Sequence, residues 1–384
     1  MSNTYDVVVI GAGSVGVPAA LALARQGLRT LVIERHHAPA QEDGKKAIGG
    51  IRATHSDYGK IQVCLRSIEI FAGWEEEHGQ DIGWLSNGYS YPAYNEADEK
   101  KLKDLLKVQK SYGLNIDWIS PEEYAELVPG INMQGLRGST YSPEDGSAMP
   151  LVSMNAFYFQ SLAEGAEYRL GESVTGIEVN AGRVQAVVTD KGRYACKWVV
   201  NCAGNAAAAV SKLAGLDVPV RPDCHEGAVS EPVQRFFGPM VVDMRPAEDS
   251  ANYYFYQNKE GHVVFCITPS PQIWGDDNDA TSVFLPQVAK RMVALYPRLA
   301  YLKIRRTWRG QYPMTPDGFP IVGKAPELDG WVHNVGPCGQ GFMLGPGLGE
   351  LVTRVVTDHL NPDDGRILAS FDPKRAFVGQ EALK

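Results

Sequence analysis

Cysteine is scarce: six residues in 384, at Cys64, Cys196, Cys202, Cys224, Cys266 and Cys338, with no Cys-x-x-Cys pair among them. That spacing argues against a structural zinc site or a disulfide framework, and nothing in it has the pattern of an iron–sulfur or haem site. No metal is therefore expected, and a reduced, cytoplasmic setting fits. Basic runs are missing as well. The net charge of −8 is spread over mixed-sign segments, so the chain offers no basic face to a nucleic acid or an anionic membrane. One charge-free stretch, residues 7 to 24 (VVVIGAGSVGVPAALALA), is as long as a membrane span. Gly11, Gly13, Ser14, Gly16 and Pro18 interrupt it, and Asp6 stands where a signal peptide would carry Lys or Arg. Strand, turn and helix is the better parse. What is plentiful is apolar residue, 44% against 21% charged, the balance of a globular protein with a sizeable core, and the length favours two lobes.

That parse carries the first chemistry. Tyr5 to Ile10 reads as a buried strand, Gly11-Ala-Gly13-Ser-Val-Gly16 follows at G-x-G-x-x-G spacing, and an apolar helix runs on to about Gly27. The first glycine permits the tight turn, the second lets backbone approach a pyrophosphate, and the third lets helix pack on strand, leaving the helix amino end facing phosphates. Glu34 closes the next strand, Thr30 to Ile33, where a carboxylate would accept hydrogen bonds from ribose hydroxyls. The unit predicts a dinucleotide site, NAD or FAD. A chance glycine turn is the bland alternative.

Beyond Glu34 a long polar stretch contains Gly49-Gly50-Ile51-Arg52, which suggests backbone held against a ligand. Apolar residues at 61, 64, 65, 68, 71 and 74 predict a helix over 60–78. Ser120-Pro121-Glu122-Glu123 is a capping box that opens a short helix. An apolar helix after Pro150 leads to strands at 167–170, 174–179, 183–189 and 197–201, followed by the small-residue bend Cys202-Ala203-Gly204. From Val218 to about Arg306 the texture turns aromatic and β-rich, as in Asn252 to Tyr256 and His262 to Ile267, with one helix near 283–296. The first style returns with Phe319 to Gly323, a strand Trp331 to Val335, the loop Gly336-Pro-Cys-Gly-Gln-Gly341 and a helix from about Gly345 to His359. The expected fold is therefore α/β: a Rossmann-like lobe of a largely parallel sheet with helices, formed by 1–80, 150–217 and 307–384, plus a smaller mixed-sheet substrate lobe formed by 81–149 and 218–306.

Four segments in this order, the glycine motif with Glu34, VVNCAG at 199–204, Met314-Thr-Pro-Asp-Gly318 with Pro320 to Gly323, and Gly339-Gln-Gly-Phe-Met-Leu-Gly345, resemble the D-amino acid oxidase-like FAD-dependent oxidoreductases. Within them the chain looks most similar to the β subunits of heterotetrameric sarcosine oxidase and of dye-linked proline dehydrogenase, with glycine oxidase as a cousin. The resemblance implies noncovalent FAD. It places Ser14 and Val15 at the pyrophosphate, Glu34 and Arg35 at the ribose and adenine, Val174 at the adenine, and Ala203 and Gly204 along the middle. Gly49 to Arg52 and Gly339, Gln340, Gly341, Phe342 and Met343 would bracket the isoalloxazine. It also implies oxidation of the carbon–nitrogen bond of a small amino acid such as sarcosine, proline or glycine to an imine, by hydride transfer to flavin N5. A 2-hydroxy acid or glycerol-phosphate dehydrogenase, or a catalytically silent FAD-binding subunit of a larger complex, are the alternatives.

Arg52 is a candidate clamp for a substrate carboxylate, with Arg309 as second choice; a surface or cofactor-phosphate arginine is the competing reading. His55 and His225 are candidate bases, against hydrogen-bonded structural histidines. Tyr256 and Tyr312 are candidates to close the pocket or bond the carboxylate, against plain aromatic packing. Cys338 could be a reactive thiol or a small residue in a tight turn. Glycine oxidases carry an arginine where Tyr312 falls; monomeric sarcosine oxidases carry a lysine where Met343 falls and a flavin-linking cysteine where Gly310 falls. None of those devices carries over, and the lost lysine tilts the expectation toward a dehydrogenase that hands electrons to a companion subunit or carrier. The histidine that tethers a second flavin, FMN, in the sarcosine oxidase β subunit has no counterpart near Pro150 to Asn155, so covalent FMN is not expected and a noncovalent one stays open.

Overall fold

A computed structural model describes residues 4–383. The β-branched strand Thr4–Ile10 is buried on both faces from Val7 onward, as a parallel strand covered on two sides must be. It pairs in parallel with Thr30–Glu34 on one side and Arg193–Asn201 on the other. Glu167–Leu170 extends the sheet beyond Thr30–Glu34, and Trp331–Val335 followed by Ile321–Lys324 extends it beyond Arg193–Asn201. Val174–Asn180 and Arg183–Thr189 form an antiparallel hairpin joined to Arg193–Asn201.

Helices Gly16–Arg25, Tyr58–His78, Pro150–Ala163 and Gly341–Thr357 bury Val7, Val9 and Val32 on one face. On the other, Val184, Val187 and Tyr194 pack against Val8, Ile10 and Leu31. Helix, sheet and hairpin make the three layers of the first lobe.

A second eight-stranded sheet runs in the order Ile304–Met314, Arg221–Ser230, Val263–Pro269, Ser250–Gln257, Met240–Asp243, Tyr89–Ala93, Gly138–Ser142, Asp117–Ile119. All its pairings are antiparallel except that of Met240–Asp243 with Tyr89–Ala93. Ile304–Met314 pairs along its length with Arg221–Ser230. The chain therefore rejoins the first sheet only at Ile321 and not at 307, because the strand's partners all lie in the second sheet. One face of this sheet packs on the helix Phe284–Leu295 through Phe255, Phe265 and Val288.

The capping box at Ser120 forms in both directions: Glu123 N–H donates to Ser120 Oγ (3.2 Å) and Ser120 N–H to Glu123 Oε2 (2.7 Å). The last long helix starts at Gly341, a turn before the position expected from the sequence, and accommodates Pro346. Among the described residues no helix is long and apolar enough to cross a membrane.

Candidate active site

A cavity of about 520 Å³ runs from the end of the second strand, at Glu34, past the glycine loop to an aromatic end under the second sheet. Its geometry begins with close backbone packing. A Cβ on Gly16 would lie 1.9 Å from the Gly11 carbonyl oxygen, and one on Gly345 would lie 2.0 Å from that of Ser14. The two helices that start here can meet the loop only through glycine. Glu34 ties the loop to the strand: its Oε2 accepts from Ala12 N–H and its Oε1 from His36 N–H, both at 2.8 Å. Arg35 lines the same end but pairs with Glu42. Gly13, Ser14, Val15, Val174, Ala203 and Gly204 line the course between. Gly16 does not reach the lining; it serves the helix contact.

At the aromatic end, a Cβ on Gly50 would fall 2.4 Å from Tyr89 Oη, and one on Gly339 2.4 Å from the Tyr312 ring. Gly49, Gly50, Gly339, Gly341, Phe342 and Met343 line the cavity, whereas Gln340 and Ile51 stay behind it. So the glycines on both sides make room for tyrosines of the second sheet as well as for a ligand.

His225 and Tyr312 stand on neighbouring strands of that sheet and stack, centroids 3.7 Å apart at 18°. Asp223 Oδ2 lies 3.1 Å from His225 Nε2 and also accepts from Gln272, while Asp223 Oδ1 accepts from Ile273 N–H. Burial works to raise the Asp223 pKa, but His225 and these donors outweigh it and hold the carboxyl below its ordinary value. In the tautomer that places a proton on Nε2 for Asp223, Nδ1 is the acceptor. That Nδ1 is buried and has no hydrogen-bond partner. Tyr312 Oη is 3.4 Å from Tyr254 Oη and 4.0 Å from Cys266 Sγ. Burial pushes the Tyr89, Tyr254 and Tyr312 hydroxyls well above their usual range, so all three remain protonated donors.

The other expected site residues lie elsewhere. Tyr256 Oη donates to the Ile48 carbonyl (2.6 Å) and braces the Gly49 turn from outside the lining. Arg52 is a correction: its guanidinium donates to the Leu383 carbonyl (2.7 Å) and to that of Thr54, with His55 Nδ1 at 3.2 Å. Tyr89, 5.9 Å from the guanidinium, lines the cavity, and Arg52 does not. His55 is fully buried beside it, with Cys64 Sγ 3.5 Å from its Nε2. Desolvation, then the charges of Arg52 and Lys60, keep His55 neutral, so it too belongs to this second cluster. Arg309 pairs with Asp277 (2.8 Å) and is outside the lining. Cys338 is held by Thr315 and has its thiol pushed up by burial, which opposes a reactive thiolate.

Sequence reasoning missed Tyr89, Tyr254, Cys266 and Asp223. The Asp223-x-His225 alternation on one strand was the available signal for the last.

Residues 6–355 match the family profile described as FAD dependent oxidoreductase, DAO. Mitochondrial sarcosine dehydrogenase of Mus musculus is 28% identical over 98% of this chain and 42% of its own length, so the chain spans about two fifths of that relative. Sarcosine oxidase subunit beta of Rhodobacter capsulatus is 23% identical, covering 98% of this chain and 89% of that protein. The solved L-proline dehydrogenase from P. horikoshii superposes with a TM-score of 0.90 at 29% identity, over 98% of each chain.

Proposed function

Because the chain belongs to the DAO family of FAD-dependent oxidoreductases, we propose that it oxidises the carbon–nitrogen bond of a small amino acid, sarcosine, proline or a related N-substituted or cyclic compound, to the imine. The observation that carries this reading is His225 Nδ1, a buried acceptor without a partner at the aromatic end of the cavity. FAD, held noncovalently, supplies the two-electron acceptor. The chain supplies the rest. An amino acid arrives as an ammonium, and only the neutral amine has the lone pair that makes its α C–H a hydride donor. With Nε2 committed to Asp223, His225 Nδ1 takes the ammonium proton. The hydroxyls of Tyr89, Tyr254 and Tyr312 donate to the carboxylate in place of an arginine.

The cofactor reading rests on the same cavity: Glu34 at the adenosine end, Ser14 and Val15 at the pyrophosphate, Val174, Ala203 and Gly204 along the course, Gly49–Gly50 and Gly339–Met343 around the ring. The glycine contacts support it, since side chains there would close the space. The first lobe then carries the cofactor and the second sheet covers the substrate. Similarity to a protein named as an oxidase subunit supports electron transfer to a companion subunit or soluble carrier, and a second, noncovalent FMN in such an assembly remains part of the proposal. Anaerobic mixing of the FAD-loaded protein with a panel of such amino acids tests the activity. Bleaching by a 2-hydroxy acid or glycerol phosphate, with all amines silent, would replace it.

A further inference from the structure

The cluster that claims Arg52 lies under residues 372–383, a segment without helix or strand. The segment is pinned at two points and bows outward between them. At the first, Arg375 donates to both carboxylate oxygens of the buried Asp317, at 2.7 and 3.0 Å, and to the Phe319 carbonyl at 2.8 Å. Val378 is then 79% exposed and Gly379 adopts φ +92°. At the second pin the chain dives back. Glu381 is 4% exposed and its Oε1 accepts from Ser56 N–H (2.9 Å), Ser56 Oγ (2.5 Å) and Leu383 N–H (3.2 Å). Its Oε2 sits 3.6 Å from Lys60 Nζ and 3.8 Å from His55 Nδ1 without a hydrogen bond to either. Leu383, 2% exposed, inserts among Tyr91, Ala93 and Leu102, and its carbonyl receives Arg52.

Lys60 is wholly buried and Arg52 nearly so. Asp145 also faces Arg52, and it is occupied by Ala53 N–H and Thr54 Oγ1. Two buried cations beside an inward N–H and hydroxyl of Ser56 form the recognition surface of an anion site. The carboxylate that fills it comes from the protein's own irregular segment, and it fills it imperfectly, one oxygen being left without a donor. We propose that residues 376–383 are an intramolecular ligand plugging an oxyanion site built from Ser56, Lys60 and Arg52, and that a free carboxylate or phosphate occupies this site when the segment lifts. Arg52 lies 5.9 Å from the ring of Tyr89, which lines the cavity, so occupancy of the site sets the support behind one cavity wall.

The test uses the FAD-loaded chain and its Glu381→Ala and Leu383→Asp variants, the first emptying the anion position and the second expelling the apolar anchor. Melting temperature is followed against inorganic phosphate and, separately, acetate, with chloride at matched ionic strength. The expected result is a saturable rise of roughly 2 °C or more with an oxyanion in the variants, absent in the parent and abolished when Lys60→Met is added. A response to phosphate alone assigns the site to phosphate groups; a response to both assigns it to oxyanions in general. If neither variant responds saturably, or if the response survives Lys60→Met, the proposal is overturned.

Discussion

His225 is held by two neighbours, Asp223 at its Nε2 and Tyr312 stacked on its face, and the residue lines the cavity. Replacing it with asparagine keeps a hydrogen-bonding partner for Asp223 but removes the proposed base. Reduction of the flavin by substrate is expected to slow by about 10² or more, with FAD content unchanged, as read by stopped-flow absorbance. Arg52 leads to a different expectation. Its guanidinium holds the Leu383 and Thr54 carbonyls, so Arg52→Ala leaves two buried carbonyls without those donors and should cost about 2 to 3 kcal/mol in unfolding free energy. Substrate binding to the folded fraction should be unaltered; a large change there would return Arg52 to the pocket. Glu34 was legible as the acid that ends a recognisable strand, whereas His225 and Tyr312 entered as candidates by residue type, with no strand identified around either. The place of Arg52 could not be read, since one of the groups that capture it, the Leu383 carbonyl, lies 331 positions away in the chain.

At the scale of the element, glycine decides where helices touch. Gly345 lies against the Ser14 carbonyl, where the glycine loop and the helix Gly341–Thr357 cross. Gly345→Ala forces them apart and should destabilise the protein by about 1 to 3 kcal/mol, with measurable loss of bound FAD on gel filtration. The early start of that helix escaped the sequence reading because two glycines and Pro346 precede its apolar stripe. The helix Glu96–Ser111 was overlooked for another reason: it buries only Leu102 and Gln109 and is otherwise charged, so it carries little apolar periodicity. The strand Trp331–Val335, by contrast, was legible from Trp331, Val332 and Val335, and it carries His333 inside. Burial lowers the His333 pKa to about 4. A histidine depressed in this way stabilises the fold above its unfolded value near 6.5, and that contribution is lost as pH falls from there toward 4. The melting temperature should drop over this window, and His333→Phe should make the drop shallower. An unchanged pH profile would mean the ring is not held neutral.

Across the whole molecule, the two eight-stranded sheets divide the work. The first positions the glycine loop and Glu34, and the second lowers Tyr89, Tyr254, Tyr312 and His225 onto the far end of one cavity. The alternation of strands and helices near both ends of the chain made the first sheet legible. The order of the second was not, because three of its strands come from residues 89–142, far from the aromatic segment that signalled it. With no lysine at Met343, substrate-reduced protein is expected to reoxidise slowly in air and quickly with an artificial dye; peroxide release at the turnover rate would point to an oxidase. The most direct measurement is anaerobic mixing of the FAD-loaded chain with sarcosine, proline, glycine and their N-substituted relatives while the flavin absorbance is recorded. Saturable bleaching by at least one of them, slowed by His225→Asn, is expected. Unchanged absorbance with every amino acid, alongside bleaching by a 2-hydroxy acid or glycerol phosphate, would contradict the assignment.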